Sequence, residues 1–293
     1  MDTVRIIKWL NNADSCLYPP GCGADFVSLP LGKQGCCTVG IVHEHRFAFY
    51  FWGLYSQAQS MPRPVLITLD SHNDFGVPSE VNHADLDNLN ISNRLELGLF
   101  TWLGLRSNND GQILPALYLD FFSDVYVLLN KDEDALEFHP SESLKEYEDR
   151  TGNIHKVKFY RHADQLLCDL PSDTSIYLDI DLDFFATENP QAGSVLGSER
   201  LLPADEIRSI LSLEGAFMGS LLNRIVGLTI ALEPKYCGGL RNSLHALDIL
   251  NDELFDGTLC KHTCKWRKGP LRTNGRTSGA GSAISLDKSL CTL

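Results

Sequence analysis

Three short segments carry residues suited to metal chemistry. Asp70-Ser71-His72-Asn73-Asp74 follows the apolar run Val65 to Leu69. Asp179-Ile180-Asp181-Leu182-Asp183 follows the run Ser175 to Leu178. His43-Glu44-His45 follows the β-prone stretch Thr38 to Val42. Five acids gathered at one place repel one another, and some must protonate unless cations sit among them. Divalent metal ions answer that problem. The donors are mostly oxygen with imidazole added, a set that favours Mn²⁺ over zinc, which more often recruits thiolates. Carboxylates shared by two ions ready a nucleophilic water between them. One further His completes such a site, and His45 is favoured over His43. Each segment alone has a plainer meaning. Asp-x-His-x-Asp is often a capped turn, and Asp-x-Asp-x-Asp also suits a calcium loop or a solvated strand end. Their common position directly after apolar strands argues for a metal centre.

That position depends on the elements around it. A short, almost wholly apolar run that stops at a polar cluster reads as a buried parallel strand. Val65 to Leu69 and Ser175 to Leu178 fit, as do Val125 to Leu129, Val157 to Tyr160 and, most strongly, Ile225 to Leu232. Helices are expected over His45 to Ser60, Leu95 to Leu105, Pro203 to Leu213 and Leu240 to Leu254. The third opens with a Pro and acids, a suitable helix start. Residues 11–24 read as a loop, and the charged stretch 131–153 reads as lying outside the core. Strands alternating with helices predict an α/β fold: three layers, αβα, around a mostly parallel sheet. In such sheets ligands sit beyond the carboxyl ends of the strands. One domain is expected over 1–265, followed by a basic, disordered tail over 266–293.

Composition narrows the function classes. The chain has 293 residues, 43% hydrophobic and 22% charged, which excludes a collagen, a coiled coil and a wholly disordered chain. Lys and Arg number 25 against 38 Asp and Glu, a net charge of −13. Residues 261–293 hold seven basic residues and one acid, so residues 1–260 carry a net charge of −19. Such an acidic body is a poor nucleic-acid binder but tolerates a cationic partner. Nine cysteines, an odd number, do not make the framework of a small secreted scaffold. No signal-like apolar run opens the chain, and Phe47 to Tyr55 is too short to span a bilayer. A cytoplasmic protein with no membrane partner is expected. Cys260 and Cys264 lack a second ligand pair for zinc. Cys36, Cys37 and Cys237 read as small buried residues, and Trp52 with its Phe neighbours as core.

The triple metal pattern resembles the arginase and histone-deacetylase superfamily. That superfamily also uses a His from an early segment, then Asp-x-His-x-Asp, then Asp-x-Asp. The tandem His-His pair of the deacetylase branch does not occur here. The phrases IVHEHRFAFYFW, LITLDSHNDFGVP and YLDIDLDFFATENP look like three signatures of an arginase-like family. It is the family that contains the peptide arginases of ribosomal-peptide natural-product pathways. GLTIALEPKYCGG looks like its last strand and loop. Together these blocks span residues 41 to 239, about two thirds of the chain. Ordinary arginases carry Asp-x-Asp-x-x-Asp-Pro where this chain has Asp-Ile-Asp-Leu-Asp-Phe-Phe.

The resemblance implies a manganese-dependent hydrolase acting on arginine side chains of a precursor peptide, giving ornithine and urea. It implies two Mn²⁺ ions, one held by His45, Asp70, Asp74 and Asp179, the other by Asp70, His72, Asp179 and Asp181. Asp183 would orient groups at the substrate site rather than bind metal. Glu233 would hold the substrate guanidinium through two parallel hydrogen bonds. Asp74 would also keep the attacking water in line, and His83 would serve as the acid–base group. Two other functions fit the same residues. One is a small-molecule ureohydrolase acting on free arginine, agmatine or a guanidino acid. The other is a metal-stabilised protein that grips a peptide without turnover.

Overall fold

A computed structural model describes residues 18–29, 35–58, 62–72, 74–78, 80–106, 109–130, 146–189, 197–261 and 264–267. Its strands are β1 (Cys22–Ser28), β2 (Cys36–Val42), β3 (Val65–Asp70), β4 (Val125–Leu129) and β5 (Glu146–Glu148), then β6 (Ile154–Tyr160), β7 (Ile176–Asp181), β8 (Ala186–Thr187), β9 (Arg200–Leu201) and β10 (Ile225–Ala231). Eight of them form one sheet in the order β1-β2-β10-β7-β3-β4-β6-β5, and β8 pairs with β9 apart from it. The six inner strands run parallel, and the edge strands β1 and β5 are antiparallel to their neighbours. Every residue of β3, β4 and β7 is buried, because helices cover both faces of the sheet.

Strand alternation sends neighbouring side chains to opposite faces. Leu66, Val127 and Tyr177 pack under α1 (Ala48–Ala58), α2 (Glu80–Asn88), α3 (Arg94–Leu99) and α4 (Ile113–Tyr118). Ile67, Leu178 and Ile230 pack under α5 (Ala163–Asp169), α6 (Ala204–Leu211), α7 (Ala216–Leu221) and α8 (Leu240–Phe255). The result is the expected helix–sheet–helix layering. No helix among the described residues is long and apolar enough to cross a membrane.

Helix α1 seats unusually close to the sheet. Phe51 and Tyr55, one helical turn apart, lie over Gly40 of β2 and Gly227 of β10. A Cβ on Gly40 would run into the Phe51 ring, and one on Gly227 would stand 2.5 Å from Tyr55. The Tyr55 hydroxyl donates to the Leu228 carbonyl at 2.6 Å and accepts from the Gly40 N–H at 3.3 Å. A 3-10 turn, His45–Phe47, leads directly into this helix. The seat of α1 therefore sets where His45 stands.

Several expectations need correction. Residues 22–24 belong to β1 rather than a loop. Of the stretch 131–153, residues 131–145 lie outside the described residues, but β5 joins the sheet and Asp149 is buried. The helix expected to Leu105 is α-helical only to Leu99 and ends in a π-helical turn, Phe100–Gly104. The folded body also runs past 265. Trp266 packs on Phe255 with ring centroids 5.0 Å apart, and the Arg267 N–H donates to the Leu254 carbonyl at 2.7 Å. The rest of the expected tail, 268–293, lies outside the described residues. No disulfide joins the described cysteines, though Cys36 is exposed rather than buried like Cys37 and Cys237.

The close seat of α1 can be tested. Gly40→Ala should destabilise the protein by about 1–3 kcal/mol through overpacking. Denaturant unfolding checks this, and an unchanged midpoint would contradict the close approach.

Candidate metal centre

Four adjacent parallel strands end at the same edge of the sheet. β2 leads to His45, β10 to Glu233, β7 ends at Asp181 and β3 ends at Asp70. Neighbouring strands lie about 4.8 Å apart, so side chains from their ends meet within ligand reach. The loop after β3 adds His72 and Asp74. A 3-10 turn after β7, Leu182–Phe185, adds Asp183. Asp181 caps that turn, its Oδ1 accepting the Asp183 N–H at 3.1 Å. The Ser71 N–H donates to Asp183 Oδ1 at 3.2 Å, and the Ser71 hydroxyl donates to the Asp183 carbonyl at 2.8 Å. The two acidic segments are thereby tied together.

His45 stands at the centre of the acids. Its Nδ1 lies 2.8 Å from Asp74 Oδ2, 3.0 Å from Asp181 Oδ2 and 3.3 Å from Asp70 Oδ2. Its Nε2 lies 2.7 Å from Asp179 Oδ2. The neighbouring His43 is exposed. Two groups of ligand atoms result, each with all atoms within 4.8 Å: His45, Asp70 and Asp181, and Asp70, His72 and Asp183. Asp70 belongs to both.

Asp179 is placed differently from the expectation that it bridges two ions. The pairing of β7 with β3 and β10 sets Thr68, Asp179 and Thr229 side by side. The Thr68 hydroxyl donates to Asp179 Oδ2 at 2.8 Å, and the Thr229 hydroxyl donates to Oδ1. Trp52 Nε1 donates in turn to Thr229 Oγ1 at 3.2 Å. Two hydroxyls and the His45 ring occupy Asp179, an arrangement suited to orienting the imidazole so that Nδ1 could meet a metal. Asp183 takes the ligand-forming position instead, with its Oδ2 2.8 Å from His72 Nδ1 but without hydrogen-bond geometry. Trp52 is core as expected, and also the outer link of this chain.

The donor atoms suit a cation. His45 Nδ1, Asp70 Oδ2 and Asp183 Oδ2 are buried without hydrogen bonds. Buried polar atoms usually find partners, and these point into one acidic cluster. Burial, then Asp74 and Asp183, push the Asp70 carboxyl up to about 7. Burial, then Asp183, hold Asp181 well above the usual carboxylate range. Burial alone would favour neutral His45, but Asp179 and Asp181 outweigh it and hold its pKa well above the ordinary value. Charges so crowded in a low-dielectric edge are relieved by a divalent ion.

A cavity of about 340 Å³ opens onto the cluster. His72, Asp74, Asp181, Asp183, Glu233 and Tyr236 line it, together with Asn109 and Asp110. Glu233 Oε1 accepts the His45 N–H and Asn109 Nδ2, the latter at 2.9 Å. Burial raises the Glu233 carboxyl to about 7, even though the His45 N–H lowers it. Gln112 Nε2 holds Asp74 Oδ2 at 2.5 Å. A search against protein-family models and one against curated proteins find no match to this chain.

His83 is not brought here. It lies on α2 rather than in a loop, and its ring packs edge-on against Tyr118 with centroids 5.4 Å apart. A larger, open hollow of about 640 Å³ runs along α8 between Leu240 and Asp248, where no group of three acids and imidazoles converges among the described residues. A third acid–imidazole group, Asp120, Asp149 and His155, sits at the opposite edge of the sheet. Its members are already engaged: Arg63 holds Asp120, Thr151 and Asn153 hold Asp149, and the Ser123 carbonyl meets His155. That group is structural. Cys260 and Cys264 join no such group among the described residues.

Sequence reasoning missed Thr68, Thr229, Asn109 and Gln112. The two threonines had a signal, since each is the one polar residue in an otherwise apolar strand run. Asn109 and Gln112 had none.

Two outcomes test this arrangement. Asp183→Asn should lose bound metal, whereas Asp179→Asn should keep the site but weaken affinity about 10–100-fold through His45. Metal content by mass spectrometry and titration calorimetry distinguish the two variants. The reverse order of effects would restore Asp179 as a ligand. With the Asp70 carboxyl pushed up to about 7, protons compete with a metal ion for it as pH falls. Mn²⁺ affinity should therefore fall as pH drops from 8 towards 6. An affinity flat across that range would contradict the proton-linked site.

Proposed function

We propose that this protein is a manganese-dependent hydrolase that converts arginine side chains of a peptide to ornithine and releases urea. One observation carries the reading: Glu233 lines a single cavity with His72, Asp74, Asp181 and Asp183 of the acidic cluster, and most of the side chains lining it are carboxylates. Such a cavity suits a cation that must be brought against a metal centre. The arginase-like motif blocks over residues 41–239 support the same fold family and chemistry.

His45, Asp70, Asp74 and Asp181 would hold one ion, and Asp70, His72 and Asp183 the other. When bound, the ions supply Lewis acidity and a water activated near neutral pH. Manganese fits a donor set of carboxylates and imidazoles better than zinc does. Asp179 would keep the His45 ring turned with Nδ1 towards Asp70 and Asp181, where an ion would be held. Asp74, steadied by Gln112, is the carboxylate placed to take a proton from the attacking water. It can pass that proton to the departing amine, a role His83 is too poorly placed to fill. Glu233 Oε2 accepts an N–H of the guanidinium, since Oε1 is already engaged. A peptide arginine suits the site, because the charged head reaches in on a long stem while the backbone stays outside. The acidic body favours the approach of such a cationic segment.

Mass spectrometry of an arginine-containing peptide incubated with protein and Mn²⁺ tests the reading. Each conversion should remove about 42 Da, the loss should vanish with chelator, and Glu233→Gln should abolish it while metal stays bound. Urea from free arginine or agmatine, with peptides untouched, would replace the peptide substrate by a small molecule. A metal-loaded protein that binds peptide and changes nothing would make it a binding protein.

A further inference from the structure

Glu233 cannot grip a guanidinium alone. Its Oε1 already accepts from the His45 main chain and from Asn109 Nδ2. One carboxylate oxygen is left, whereas a guanidinium presents several N–H donors around a plane. Two further acceptors belong to the lining of the same cavity. The bond from Asn109 Nδ2 to Glu233 fixes the amide, since only the nitrogen can donate to a carboxylate. Asn109 Oδ1 is then buried and without a hydrogen bond. Asp110 Oδ1 is likewise buried and without a hydrogen bond, and it pairs with Arg106 Nε at 3.6 Å.

Their backbone is held in place. Asn109 has φ +59° and Glu233 φ +37°, left-handed conformations that side chains other than glycine adopt only under constraint. The Gly76 N–H donates to the Asp110 carbonyl, and a Cβ at Gly76 would stand 2.7 Å from that oxygen. The loop carrying Asp74 is thus pressed against the Asn109–Asp110 turn.

We propose that Asn109 and Asp110 complete, beside Glu233, an acceptor clamp that selects a guanidinium over an ammonium. The inference rests on the guanidine-hydrolase reading and extends it to specificity. An ammonium is a compact charge that the Glu233 oxygen alone can satisfy. A guanidinium is planar and leaves N–H groups unpaired unless further acceptors are at hand. Asn109 Oδ1 and Asp110 Oδ1 supply them.

The test uses the full-length chain loaded with Mn²⁺ and immobilised for surface plasmon resonance under continuous flow. Two short peptides are compared, identical except that one carries arginine and the other lysine. The wild type should bind the arginine peptide at least about tenfold more tightly. Asn109→Leu removes the amide acceptor, and Asp110→Asn neutralises the second. Either should bring the ratio towards one and raise KM more than it lowers kcat, with metal content unchanged. Asp110→Asn, the smaller change, stands in should Asn109→Leu fail to fold. A wild-type ratio carried unchanged into Asp110→Asn and a folded Asn109→Leu would overturn the clamp and leave the hydrolase reading intact. A wild type that releases urea from arginine peptides yet binds lysine equally would do the same. A wild type that neither prefers arginine nor releases urea would overturn both.

Discussion

The crowding of carboxylates around one imidazole dominates this structure. Asp70, Asp74, Asp179, Asp181 and Asp183 are all buried within reach of His45 or His72. In water such acids would ionise independently. At a buried sheet edge they cannot, and Asp70 and Asp181 are driven towards their protonated forms. A fold tolerates this only where a cation repays it, or where each acid has a fixed donor. Fixed donors meet both oxygens of Asp179, whereas Asp70 Oδ2 and Asp183 Oδ2 are buried without a hydrogen bond where a cation could sit.

The parallel sheet makes the crowding possible. Only parallel strands deliver successive carboxyl ends to one edge, and here β2, β10, β7 and β3 are immediate neighbours. Support then passes inward by contact. Helix α1 sits on two glycines, Trp52 of that helix donates to Thr229, Thr229 to Asp179, and Asp179 meets His45. A buried polar chain of this kind is stable because each member has a partner, and it loses that stability if one is removed. Packing in the core and orientation of a metal ligand are therefore the same problem.

Strain collects where the chemistry is proposed. Asp74, Asn109 and Glu233 all hold positive φ, and all line the one cavity beside the cluster. Regular strands and helices cannot aim side chains inward from three loops at once, so irregular backbone does it and the surrounding contacts hold it there. The cavity so built is lined mostly by carboxylates. That property, more than any one residue, is what the proposed cationic substrate would meet, and it agrees with the strongly acidic body.

The strands were legible from their apolar runs, because strands buried on both faces read as continuous hydrophobic stretches; β3, β4 and β10 lie within a residue of those runs, whereas β7 continues three residues past Leu178 and takes in Asp179 and Asp181. Helices α4, α5 and α7 were not, since six or seven residues are too few to show a helical period. The segments that converge on the acidic cluster were also legible, as was His45 rather than His43 as an imidazole among them, because polar residues at the ends of buried strands have few other places to go. Which acid of Asp179-Ile180-Asp181-Leu182-Asp183 faces the cluster was not. Asp179 and Asp181 share a face of β7, and only Thr68 and Thr229 on neighbouring strands distinguish them. His83 failed for a similar reason: spacing from Asp74 says nothing of the helix that carries it to Tyr118. Asn109 is 124 residues from the Glu233 it holds. Sequence alone determined which segments reach the carboxyl edge, because hydrophobic patterning is local. Tertiary structure alone decided which donors each acid meets, because those donors come from other strands and loops.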